Sequence, residues 1–203
     1  MHTHVRLAIL LGVLSVGAAS APGFTIVRNG RAACRIVVAS PAHPAERFAA
    51  DELRRYIRTI TDVDLDIRME GTAGAGPVIS IGATRRSRYK NIKVESRYDG
   101  DDAFVIEPFG ADLVIKGATP RATLYGVYAL LEGIGSRWLL PGDPVGLQPG
   151  DRHDRKRTVA NIKWTALKIP EAPDFPLRIL QSPEPGKLLD LAGKRRLNIV
   201  AID

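Results

Sequence analysis

Cysteine is almost missing from this chain. Among 203 residues there is only Cys34, so no disulfide can close within it and the fold must stand on its buried core. A membrane-length apolar run is also missing. The N-terminal stretch Leu7 to Ala19 has about 13 residues, too few at 1.5 Å each to span a bilayer comfortably, so no stable membrane anchor is predicted. No nucleic-acid-binding motif accompanies the formal charge of +7. The densest basic spots, Arg54-Arg55, Arg85-Arg86 and Lys194-Arg195-Arg196, read as a solvated surface, and nucleic acid is not an expected partner. The glycine run Gly71-Thr72-Ala73-Gly74-Ala75-Gly76 lacks the Gly-Lys-Ser/Thr ending of a phosphate loop and opens no helix, which makes it a strand connection. No pair of carboxylates between Phe24 and Asp203 can be assigned to paired acid–base work.

What is present begins with an address. Arg6 followed by the apolar run and Ala19-Ser20-Ala21 has the form of a secretory signal over residues 1–21, with export to the periplasm or beyond. His2 and His4 fall inside it and are not read as metal ligands. No metal and no cofactor is expected. Cys34 lies in the strand-like run Ala33 to Val38 on the same face as Ile36 and Val38, the place of a buried structural thiol.

The chain is organised around Lys116 to Leu140. Thr119 and Pro120 form a helix start, with a hydroxyl to cap free N–H groups and a proline where no N–H is needed. Leu124, Val127, Tyr128, Leu130 and Leu131 make one apolar helical face, and Gly133 and Gly135 end it. Arg137 to Leu140 then reads as extended. Upstream, Asn29-Gly30 predicts a hairpin joining Phe24–Val27 to Ala33–Ala39. Ala45 to Ile57 reads as an amphipathic helix with Phe48, Ala49, Leu53, Tyr56, Ile57 and Ile60 as its apolar stripe, and with ion pairs among Glu46, Asp51, Glu52, Arg47, Arg54 and Arg55 on its surface. Asp64–Arg68 and Pro77–Gly82 are predicted strands, Arg85–Gly100 an irregular loop, and Asp102–Pro108 with Asp112–Lys116 a second hairpin.

This order predicts an α/β (α+β) fold, a mixed β-sheet with two main helices packed on it, over residues 22–142. Residues 143–174 read as a linker and a connecting strand near Thr158–Lys168, with Pro170-Glu171-Ala172-Pro173 as a boundary. From 175 the pattern restarts as a strand (Phe175–Leu180), a helix (Leu188–Leu197) and a strand (Asn198–Ile202), the opening of a parallel βα unit unfinished at Asp203.

Several runs carry a family likeness. Ala49-Ala50-Asp51-Glu52-Leu53, Ile79-Ser80-Ile81-Gly82, Asp102 to Ile106, Gly117 to Gly126, Arg137-Trp138 and Pro141-Gly142 together resemble the non-catalytic N-terminal domain of bacterial glycoside hydrolases, of the α-glucuronidase and β-hexosaminidase domain 2 types. The likeness covers Phe24 to Gly142. Arg121 to Tyr128 is its most specific part, with Ala122 where the family often has glycine. It implies a catalytic (β/α)8 TIM barrel downstream, of which residues 175–203 would be the first strand, helix and strand. It also implies that Arg178 matches an arginine that binds a sugar hydroxyl; a surface arginine between strands is the alternative. Asp203 would stand at a strand end. The expected function is the accessory N-terminal part of a secreted glycoside hydrolase, inactive alone, with a carbohydrate as partner through the barrel. The alternative is a non-catalytic carbohydrate-binding or structural module in which Trp138, Trp164, Tyr125 or Tyr128 stacks on sugar rings, although helical and strand spacing reads most of them as core residues first. The oligomeric state is not legible.

Overall fold

The computed structural model describes residues 23–89, 91–138, 159–165, 168–175, 177–181, 191–197 and 199–201. The predicted signal segment, Leu139, Leu140, the stretch Pro141–Lys156 and Asp203 lie outside the described residues. Three sheets are formed. The largest has six strands in the order β4 (Ile67–Met69), β3 (Arg35–Val38), β5 (Val78–Ile81), β7 (Asp112–Gly117), β6 (Phe104–Phe109), β9 (Ile169–Glu171). The first four run parallel, while β6 pairs antiparallel with both β7 and β9. Strands β1 (Phe24–Arg28), β2 (Arg31–Ala32) and β8 (Ile162–Trp164) make an antiparallel sheet in the order β2-β1-β8. Strands β10 (Ile179–Gln181) and β11 (Ile199–Ala201) pair in parallel, with residues 191–194 helical between them.

Side-chain alternation explains why the large sheet is covered on both faces. Ile36, Val38, Ile79, Ile81, Phe104, Ile106, Leu113 and Ile115 enter the main core. Their neighbours Val37 and Val78 pack with Ala73 on the other face, and Val105 and Val114 with Ile92. The main core is closed by α1 (Pro44–Thr61) and α3 (Pro120–Gly133), which pack on one another and on the strands. In α1 the predicted stripe residues Ala49, Leu53, Tyr56, Ile57 and Ile60 are buried together with Ala50, whereas Phe48 is exposed, and Glu46 and Glu52 are buried and not on the surface. Thr119 caps α3 as its sequence predicts, its hydroxyl accepting from the Ala122 N–H. Gly117 and Gly126 let α3 come close: a Cβ at Gly126 would stand 2.7 Å from Ile115 Cγ2, and one at Gly117 2.3 Å from the Thr123 backbone nitrogen.

Several local expectations are corrected. Asn29 and Gly30 do turn the chain with positive φ of 51° and 68°, but the returning strand is only Arg31–Ala32, and Arg35–Val38 leaves to become the second strand of the large parallel array. The strand residues facing the core could not show which sheet they join. The loop Arg85–Gly100 contains a short helix, α2 (Arg85–Tyr89). Pro170 is a strand residue paired with Val105; it is tolerated because β9 is an edge strand, where a missing N–H breaks no ladder. Strands β8 and β9 thus belong to the sheets built by the first 117 residues. The glycine run wraps Arg35, whose guanidinium donates to the carbonyls of Ala73 and Ala75, both at 2.7 Å.

Candidate functional site

The described carboxylates that are buried are Glu46, Glu52, Asp101 and Asp102, and each has a structural employment. Glu46 accepts from the N–H groups of His43 and Ala83, closing the capping box of α1. Glu52 accepts from Arg55 and from the Tyr128 hydroxyl at 2.9 Å. Asp101 accepts from the N–H groups of Arg97, Tyr98 and Ala103. Burial works against its charge, yet these donors outweigh it and hold the carboxyl below the ordinary 3.8.

Asp102 is the exception in reach. Its side chain is only 3% exposed. One oxygen accepts from Arg121 Nε of α3 at 2.8 Å and the other from Arg178 Nη2 at 2.6 Å. The hydrogen bond that Arg121 donates to Asp102 holds the guanidinium pKa above its usual value. Arg178, 19% exposed against 51% for Arg121, also donates from Nε to the Arg196 carbonyl at 2.7 Å and from Nη1 to the Phe175 carbonyl at 2.9 Å. The contacts continue along one seam. Tyr125 of α3 donates to the Leu197 carbonyl at 2.8 Å. Arg196 pairs with Glu132 of α3 at 2.7 Å and with Glu171 of β9 at 3.2 Å. Lys194 is buried with its ammonium 5.6 Å from the Tyr56 ring centre. The α3 face and the loop before β6 therefore seat the segment that carries β10 and β11.

Arg178 is the one site residue that the resemblance implies. It stands immediately before β10, at the strand's amino end, whereas barrel sites are built at carboxyl ends. Its partners are Asp102 and two carbonyls. The sequence carries no site signal for Asp102, Arg121 or Arg196. Asp102 and Arg121 sit in two of the runs that carry the family likeness, but nothing local links them to Arg178, which is 76 residues from Asp102.

The four aromatic residues are core residues, as their spacing predicts, and none is open to stack on a sugar ring. Trp138, Trp164, Tyr125 and Tyr128 are all buried. The Trp138 indole N–H donates to the Tyr56 hydroxyl at 3.0 Å and its ring meets those of Tyr56 and Tyr128 edge-on, with centres 5.5 Å apart. An open cleft of about 800 Å³ lies at the other end of the β6–β7 pair, lined by Arg28, Asn29, Arg31, Pro77, Pro108 and Asp112 among others. Among the described residues no group of three or more His, Cys, Asp and Glu could hold a metal ion, and no helix is long and apolar enough to cross a membrane.

Comparison with known proteins gives the fold its relatives. The chain is similar to a mutant Streptomyces plicatus beta-hexosaminidase in complex with its product GlcNAc, at TM-score 0.51 and 15% identity over 88% of this chain and 30% of that one. It is similar to a family GH115 4-O-methyl-alpha-glucuronidase with specificity for decorated arabinogalactans, at TM-score 0.53 and 13% identity over 87% and 26%. It is also similar to a Flavobacterium johnsoniae chitobiase, at TM-score 0.53 and 12% identity over 88% and 24%. The chain thus spans less than a third of the length of each. No curated protein sequence matches it significantly. The profile of the glycosyl hydrolase family 67 N-terminus matches residues 26–130, just over half of the 203 residues. On that match, the chain belongs to the glycosyl hydrolase family 67 N-terminus family.

Proposed function

We propose that this chain is the N-terminal accessory part of an exported glycoside hydrolase, which supports a downstream catalytic barrel and does not cleave glycans by itself. The observation that carries the reading is the seam. A domain of this family offers one helix face and one buried carboxylate to a parallel β–α–β segment that follows it. A parallel pair cannot bury both faces alone, so support from α3 is what such a segment needs. The buried carboxylates of the described domain are occupied by N–H groups, a hydroxyl and guanidiniums, which favours catalytic groups elsewhere in the full protein. A glycan is the substrate class that the relatives' names suggest. Export rests on the form of residues 1–21.

Reading the gene past the codon for Asp203 tests this. Several hundred further residues alternating strand and helix, with paired carboxylates at strand ends, are expected. A stop codon there would leave the parallel unit unclosed and would make a binding or structural module the better account. Retention of the chain on a glycan column, lost on Arg28→Ala with Arg31→Ala at the open cleft, would then identify the binding surface.

A further inference from the structure

The resemblance implies a sugar contact for Arg178, but the hydrogen bonds around it describe a joint. A guanidinium is a rigid planar fork, and here three of its nitrogens are taken by acceptors on three sides: Asp102 Oδ2, the Phe175 carbonyl and the Arg196 carbonyl. The fork therefore has one orientation, and Ile179, the first residue of β10, follows it directly. The Arg196 carbonyl belongs to the turn that leads into β11, so the same guanidinium touches the approaches to both strands of the parallel pair. Asp102 in turn is held by Arg121 in the first turn of α3, and the neighbouring Asp101 gathers three N–H groups of its own loop. A rigid loop thus presents one carboxylate to the place where the second unit starts.

We propose that Asp102 is a positioning residue: through Arg178 it sets where β10 and β11 begin relative to the family domain, so that the domain determines the alignment of the unit that follows. The proposal deepens the accessory reading and rests on it for its use in a full enzyme, but the joint itself can be tested in this chain alone. Buried charge pairs of this kind lose heavily when one partner is removed, because the other is left unanswered.

The test is residue-resolved amide hydrogen exchange on the 203-residue chain, comparing the parent with Asp102→Asn. Ile179–Gln181 and Ile199–Ala201 should lose protection by about 10-fold or more, while Ile79–Ile81 and Leu113–Ile115 keep theirs. Arg178→Met removes the joint from the other side and should produce the same local loss, which covers the case in which Asp102→Asn unfolds the whole domain. Arg178→Lys keeps the charge without the fork and should not restore protection. Unchanged protection of β10 and β11 in Arg178→Met, or no protection of these strands in the parent, overturns the proposal. In the full-length protein, Arg178→Met should lower kcat on every substrate hydrolysed; a rise in KM alone, with exchange unchanged, would make Arg178 a sugar ligand and overturn the joint. Absence of hydrolysis by the parent would refute the accessory reading and leave the exchange result standing.

Discussion

A single thiol shows how far burial sets chemistry at the residue scale. Cys34 is buried, and desolvation of the thiolate pushes its pKa from 9.0 up to about 12. Its sulfur lies 3.8 Å from the Ile26 carbonyl, a weak contact that favours the protonated form. Two outcomes are expected. Iodoacetamide at pH 8 should leave the folded protein unmodified and label Cys34 once urea unfolds it. Because the folded pKa is raised, the stability it contributes is complete below about pH 9 and declines as pH rises towards 12. At pH 10 the parent should have lost about 1 kcal/mol more, relative to pH 7, than Cys34→Ala has. Urea melts at the two pH values measure the difference, and equal losses would place the thiol in a wetter site. Asp101 has the opposite sign: its lowered pKa gives stability that is present above about pH 4 and lost as pH falls further.

At the scale of elements, α3 is the helix that joins the layers, though the residues that do so are not all those that periodicity suggests. Val127, Tyr128, Leu130 and Leu131 are buried, whereas Leu124 is only partly covered. Leu131→Ala should cost about 2–5 kcal/mol, and Leu124→Ala less than half as much, both by urea denaturation. Equal costs would mean that α3 is rotated from the orientation described. Gly126→Val would press on Ile115 and Phe104 and should cost about 1–3 kcal/mol as overpacking. Much of this was legible in the sequence. The Thr119-Pro120 start, the α1 stripe and the β6–β7 hairpin follow from capping, period 3.6 and period 2. What was not legible is what depends on distant partners. Arg35–Val38 reads as a hairpin arm because Asn-Gly precedes it, and only the pairing with Val78–Ile81 and Ile67–Met69 sends it elsewhere. Pro170 reads as a break because a proline's tolerance depends on standing at a sheet edge, which no local pattern reveals. The joint was half visible: Asp102 and Arg121 stand in runs that carry the family likeness and Arg178 is a residue the resemblance implies, but their meeting needed the fold.

For the whole molecule, the family domain and the parallel unit meet along α3, through Asp102–Arg178, Tyr125–Leu197 and Glu132–Arg196. Loss of the Asp102 carboxylate should lower the stability of the chain by about 2–3 kcal/mol, below the range for fully buried pairs because Arg121 is half exposed. The central claim is that this arrangement serves a hydrolase. The measurement that tests it most directly is hydrolysis of chromogenic β-N-acetylglucosaminides and α-glucuronides by the full-length gene product and by the 203-residue chain. The account predicts turnover by the full-length product on one of these glycoside classes and none by the chain alone. Hydrolysis by the chain alone, or a folded full-length product that cleaves neither, would contradict it.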